Sequence, residues 1–242
     1  MNPVDSAPSE HSDATARDSN GAAHPHTPAE LSAIAARFYT RGPLLLRLLN
    51  RYRPYICPFE ALIERVPRGS TVLDVGCGGG LFLALLSATQ RVRLGVGFDS
   101  SANAIATAQA IGLPECRFIR LDAAAPWPEE PALFDVVSII DVMHHVPPAH
   151  QRSVIRTAAG RLSPGGLLIY KDMCRRPRWR AAANRLHDLV LAKQWINYAP
   201  VGEVENWARE AGLKLAHAAN FTRLWYGHEL RVFERSIGRD GA

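Results

Sequence analysis

The run Val72-Leu73-Asp74-Val75-Gly76-Cys77-Gly78-Gly79-Gly80 passes from aliphatic residues into a glycine cluster, and Leu81 to Ala88 follow as an apolar helix. A strand that leaves through glycines into a helix lets backbone approach a ligand closely, because no Cβ intervenes. After the next apolar segment, Gly97-Phe98-Asp99-Ser100 places a carboxylate 19 residues past Gly80. That matches the offset of roughly 20 residues at which such loops are paired with an acid for ribose hydroxyls. Asp99 has lone pairs for both hydroxyls of a cis-diol. Asp74 stands just before the first glycine, where a carboxylate repels a pyrophosphate and suits an ammonium-bearing ligand. Further on, His144-His145 closes another apolar run, and a histidine near its unperturbed pKa of about 6.5 is suited to proton transfer at neutral pH.

These residues need a scaffold, and the pattern around them supplies one. Strands are expected over 71–75, 94–98, 117–120, 136–140 and 167–171, with helices over 81–88, 102–111 and 150–162 between them. Alternating strands and helices give an α/β fold with a doubly wound, mainly parallel sheet, whose carboxyl ends face the ligand crevice. Two N-terminal helices within 29–65 precede it, the second resting on Leu44, Leu45, Leu48 and Leu49. A lid-like helical insert over 172–200, a helix over 201–211 and two strands near 213–220 and 229–234 complete the chain, the strands closing an antiparallel edge. Residues 1–28, rich in Ser, Ala, Pro and His, read as a disordered tail, leaving 29–242 as one domain.

The chain has 242 residues, 47% of them hydrophobic and 21% charged, which excludes the low-hydrophobicity composition of disordered chains. Cys57, Cys77, Cys116 and Cys174 form no Cys-x-x-Cys pair and no zinc-type spacing, so neither a metal nor disulfides is expected. Neither a secretory leader nor an integral membrane segment is expected, since no apolar run reaches about 18 residues, and the cytoplasm is the expected compartment. A net charge of +5 favours acidic partners without ranking them.

With Leu73 to Gly80 and Gly97-Phe98-Asp99, three further blocks stand in order: Leu121-Asp122-Ala123, Phe134 to Val137 with His144-His145-Val146, and Leu162-Ser163-Pro164-Gly165-Gly166. In these five blocks, over roughly Val66 to Met173, the chain resembles the class I S-adenosylmethionine-dependent methyltransferases. Their small-molecule branch, which includes the ubiquinone and menaquinone biosynthesis enzymes, is the nearest in character. The resemblance implies S-adenosylmethionine as cofactor, and that the loop Asp74, Gly76, Cys77, Gly78, Gly80 holds its methionine end. It further implies that Asp99, with Ser100, meets the ribose, that Asp122 and Ala123 meet the adenine, and that Ile140 and Asp141 lie beside the sulfonium. Asp141 stands where family members vary, which leaves its role open.

Alignment of donor and acceptor supplies most of what methyl transfer needs, and a protonated acceptor additionally needs a base. His145 is the preferred base and His144 the alternative; the pair equally suits a turn shaped by backbone hydrogen bonds. Tyr39, His187, Trp195, Tyr198 and His228 are candidate acceptor contacts, with core or lid packing as the competing reading for the aromatics. The run Lys171, Arg175, Arg176, Arg178, Arg180, Arg185 suits an acidic acyl carrier protein, or else is a solvated helix face. The expected acceptor is a small phenolic or carrier-bound acyl metabolite. A nucleic-acid methyltransferase is the alternative, disfavoured because Asp141-Val142-Met143-His144 stands where an Asn/Asp-Pro-Pro-Tyr motif would, and no nucleic-acid partner is expected. A non-catalytic binding module is disfavoured by the intact loop with Asp99 and Asp122. A nicotinamide oxidoreductase is disfavoured by Asp74 and by the lack of a Tyr-x-x-x-Lys relay. Oligomeric state is not encoded in any of these features.

Overall fold

The computed structural model describes residues 25–173, 197, 199–223 and 226–237. Its first helix, α1 (Pro28–Phe38), begins at a reciprocal cap. Thr27 Oγ1 accepts from Glu30 N at 3.2 Å and Glu30 Oε2 accepts from Thr27 N at 2.8 Å, while Pro28 occupies the first turn, where its missing N–H is harmless. Where sequence reading placed two N-terminal helices there are three, because the Cys57-Pro58 break divides α2 (Leu44–Ile56) from α3 (Phe59–Glu64). The leucines whose spacing marks α2, Leu44, Leu45, Leu48 and Leu49, are all exposed, while α1, α3 and α4 contribute to the core on that side.

The alternation then runs β1 (Ser70–Val75), α4 (Leu81–Ala88), β2 (Val92–Asp99), α5 (Ala102–Gln109), β3 (Cys116–Arg120) and β4 (Phe134–Ile140). After a short 3₁₀ turn (Met143–His145) come α6 (Pro148–Gly160), β5 (Leu162–Met173), α7 (Val201–Glu210), β6 (Leu213–Arg223) and β7 (Tyr226–Arg235). The strands form one sheet in the order β3-β2-β1-β4-β5-β7-β6. Neighbours from β3 to β5 are parallel, and β7 runs antiparallel to both β5 and β6. The order reverses between β1 and β4, and at such a switch point the loops leaving adjacent strands part and open a crevice.

Alternate residues of β1 serve opposite faces. Val72 joins the apolar cluster under α1, α3 and α4, whereas Leu73 and Val75 join the cluster under α6 and α7. At the far end of the strands, Asp135 Oδ2 accepts from both the N and the Oγ1 of Thr71 at 2.8 Å, clamping β1 to β4 in register. β5 begins earlier than its sequence indicates. Phe134 pairs with Leu162 and Val136 with Leu167, so Ser163 to Gly166 bulge out of the ladder. A Cβ at Gly166 would sit 2.8 Å from the Ser163 carbonyl oxygen, which is why the bulge carries glycine.

Candidate active site

At the carboxyl ends of β1, β2, β4 and β5 lies a cavity of about 570 Å³. Of the residues singled out from sequence, Gly76, Gly78, Asp99, Ser100, Asp122, Ala123, Ile140, Asp141, His144, His145 and His228 line it. Asp74, Cys77, Gly80 and Tyr39 do not; they form the layer behind the lining. His187, Trp195 and Tyr198 lie outside the described residues, as do Arg175 to Arg185 of the basic run.

The glycine loop needs its glycines for two different reasons. Gly76 has φ +67°, and a Cβ there would come within 2.3 Å of Val142 Cγ2, so the turn fits against the β4 loop only without a side chain. Gly78 has φ +54° and nothing within 4 Å of an added Cβ, so its backbone borders open space on the cavity side. Asp99 ties the loop to the next unit. Its Oδ2 accepts from Gly78 N at 3.0 Å and its Oδ1 from Ser101 N at 2.8 Å, while each oxygen keeps a second lone pair. Tyr39, expected as an acceptor contact, instead donates its hydroxyl to the Gly79 carbonyl at 2.8 Å and is buried, bracing the loop from behind. Asp122 accepts from Ala124 N at 2.8 Å, an Asx turn that presents Ala123 to the cavity, and Trp127 Nε1 fixes the Ala123 carbonyl at 2.9 Å.

Asp74 is buried beneath the loop, where Ser138 Oγ donates to its Oδ1 at 2.7 Å. Burial outweighs that hydrogen bond and pushes its carboxyl up to about 7.

The floor beside β4 is a charged cluster. Asp141 adopts φ +56°, an uncommon conformation for a residue with a side chain, and such strain costs on the order of 1–3 kcal/mol. Its carboxylate accepts from Lys171 Nζ at 2.6 Å and from Arg53 Nη2 at 3.3 Å. Burial would raise the Asp141 carboxyl, but Lys171 and Arg53 overcome it and hold the group well below the usual carboxylate range. Burial likewise opposes the Lys171 charge, and Asp141 more than restores it. His228, nearly inaccessible, is driven down to about 3 by burial and by Lys171, and is therefore neutral. Lys171 was grouped with the surface basic run in the sequence; it is 0% exposed, because the last residues of β5 turn it under the cavity.

The histidine pair divides into two environments. His144 is buried, with Nδ1 2.5 Å from Asp172 Oδ1 and its backbone N donating to Asp172 Oδ2 at 3.2 Å. His145 is exposed, its ring 4.1 Å from that of His144. Gln151 Nε2 fastens the turn by donating to the carbonyls of Met143 and Val146 at 3.2 Å and of Asn197 at 2.9 Å. Arg53, Lys171 and Asp172 are the site residues that sequence reading did not assign. Each reaches its partner across at least 28 positions of chain, and no local spacing announces them.

A mainly parallel sheet with this strand order, a left-handed glycine turn after β1 and an acid ending β2 define the class I methyltransferase fold. A family model described as Methyltransferase domain matches residues 48–218, and the chain belongs to that family; it is an S-adenosylmethionine-dependent methyltransferase. The ubiquinone biosynthesis O-methyltransferase of Albidiferax ferrireducens is 30% identical over 195 residues, covering 73% of this chain and 68% of that protein. The ubiquinone biosynthesis O-methyltransferase of Pseudomonas putida is 30% identical over 216 residues, covering 80% of this chain and 85% of its own length. Among solved structures, magnesium protoporphyrin IX methyltransferase from Synechocystis PCC 6803 with bound S-adenosylhomocysteine shares the fold at a TM-score of 0.60 and 17% identity, covering 84% of this chain and 93% of that one. No helix among the described residues is long and apolar enough to cross a membrane.

Proposed function

We propose that the chain methylates an oxygen of a small phenolic or other aromatic acceptor, with His144 as the base. Bound in this cavity, S-adenosylmethionine would supply an electrophilic methyl group on a sulfonium. The residues present fit it. Gly78 leaves room for close backbone approach, Gly76 lets the turn pack against Val142, Asp99 keeps lone pairs for the ribose hydroxyls, and Asp122, Ala123, Ile140 and Ser100 border the rest. Asp74 would act on the ligand only through the loop it underlies.

The observation that carries the acceptor reading is the Asp172–His144 contact on the lining of the same cavity. A carboxylate on Nδ1 fixes the ring and its tautomer, which makes Nε2 the basic nitrogen of the pair. His145, preferred from the sequence, is the exposed member of the pair and is the weaker candidate. The oxygen acceptor is also what the ubiquinone O-methyltransferase relatives carry in their names. A carrier-bound acyl acceptor would rest on the Arg-rich run, which lies outside the described residues.

The test is methyl-label transfer from S-adenosylmethionine to a panel of catechols and simple phenols, run beside bulk tRNA and DNA. An aryl methyl ether is the expected product. Label confined to nucleic acid, or to carbon of the aromatic ring, would overturn the reading.

A further inference from the structure

We infer that the chain carries a second small-molecule site, a cleft between the α1–α2 turn and α5, and that it takes an anionic amphiphile, an oxyanion headgroup on a single apolar tail. The site stands apart from the methyl-transfer cavity and does not depend on which acceptor that cavity takes.

The cleft has a volume of about 400 Å³, within the range of cavities that hold small ligands. It shares no lining residue with the cavity at the strand ends. One wall is the end of α1 with the turn that follows it. The other is α5, where Asn103, Ala106, Thr107 and Ala110 recur at helical spacing on one face. Phe38 and Ile111 rest on the core beneath, while Leu46, Ala106 and Ala110 leave apolar surface open to water. The two alanines keep the α5 wall low, so the space between the walls is wide enough for an alkyl chain lying on that surface.

Both charged residues of the lining, Arg41 and Arg47, are cations, and among the described residues no acid lines the cleft. The surrounding chain does not supply one either: five arginines and no acid stand between Glu30 and Glu60, and Ala102 to Gly112 are uncharged. Tyr39, the remaining titratable group of the lining, is buried, stays protonated and spends its hydroxyl on the Gly79 carbonyl. Arg47 gives its Nε–H to the Tyr39 carbonyl at 3.0 Å, which holds the guanidinium in place, and Arg41 is exposed. Guanidinium forks match the paired oxygens of a carboxylate or phosphate. A tail on Phe38, Leu46 and Ala106 with its headgroup on the two arginines answers both halves of the lining. A second copy of the chain meeting this face with its own would bring like charges together, and a concave cleft fits one chain better than the plane of a bilayer.

The test titrates octanoate and 1-octanol, by calorimetry, into the full chain saturated with S-adenosylhomocysteine, so that the methyl-transfer cavity is already occupied. Octanoate is expected to bind roughly tenfold or more tightly than the alcohol, the worth of a charge-assisted contact. Ala106→Trp, which fills the cleft from α5, should abolish octanoate binding, and Ala110→Trp repeats the block one turn on. Arg41→Gln should bring the acid close to the alcohol. All three should bind S-adenosylhomocysteine as the wild type does, which reports an intact fold. Octanoate that does not bind, that is matched by 1-octanol, or that binds both tryptophan variants as it binds the wild type overturns the site. Binding confined to phosphatidylglycerol vesicles overturns it too, since the arginines would then serve a membrane surface and not a cleft.

Discussion

Asp172 holds His144 at two points, the ring nitrogen at 2.5 Å and the backbone N–H at 3.2 Å, so both the orientation of the imidazole and the path of the chain behind it depend on one carboxylate. If His144 is the base, His144→Gln should lower turnover by about 10²-fold or more, the usual worth of a positioned base. S-adenosylhomocysteine affinity should stay as it is. Asp172→Asn should lose a large part of the same rate, and His145→Ala much less. Steady-state kinetics beside calorimetry decides this, and unchanged turnover in His144→Gln would remove the role.

Asp99 is the acid expected under the ribose. Asp99→Ala should weaken S-adenosylmethionine binding more than tenfold, about 1.4 kcal/mol. The substitution also strips the acceptor from the N–H groups of Gly78 and Ser101, so the loop loses its tie to α5. A dissociation constant equal to that of the wild type would reject the assignment.

Asp74 predicts a pH dependence. Its carboxyl ionises near 4 in the unfolded chain and near 7 in the fold, so the folded state binds the extra proton. The associated stability is complete below pH 4 and is lost as pH rises through 7. Asp74→Asn keeps an acceptor for Ser138 and cannot ionise. Measured by urea unfolding, the stability of Asp74→Asn relative to wild type should therefore climb between pH 4 and pH 7 and level off above. A flat difference would show that Asp74 ionises normally in place.

Asp141 is the counter-charge of a lysine with no access to water. Asp141→Ala should destabilise the protein by about 3–5 kcal/mol, because it abandons a buried ammonium. Pairing it with Lys171→Met should recover most of that loss. Thermal unfolding of the two single variants and the double variant completes the cycle, and additive losses would contradict the coupling.

How much of this was legible in the sequence depends on how each residue finds its partner. The glycine loop and Asp99 are brought together by consecutive strands and one helix, and that short-range geometry is written in their spacing. The parallel order, the β7 edge and the position of His144-His145 follow from the same alternation. Lys171 reads as the first of several cations, and it is buried where the ladder pairs it with Ile140, next to Asp141. Arg53 meets Asp141 across 88 residues, from a helix whose leucines announce its period but not which partners its polar residues reach. Which member of a histidine pair faces a carboxylate is likewise a matter of tertiary register, and the pair alone could not say.

The histidine turn is moored to the chain on both sides of the stretch that joins β5 to α7. Asp172 grips it just before that stretch, and Asn197, whose N–H reaches the His144 carbonyl at 2.8 Å and whose own carbonyl is taken by Gln151, grips it just after. Both tethers close on the same three-residue turn, so the imidazole inherits its place from chain on either side of it. Loosening either tether should therefore let the imidazole drift although no atom of the ring has been altered.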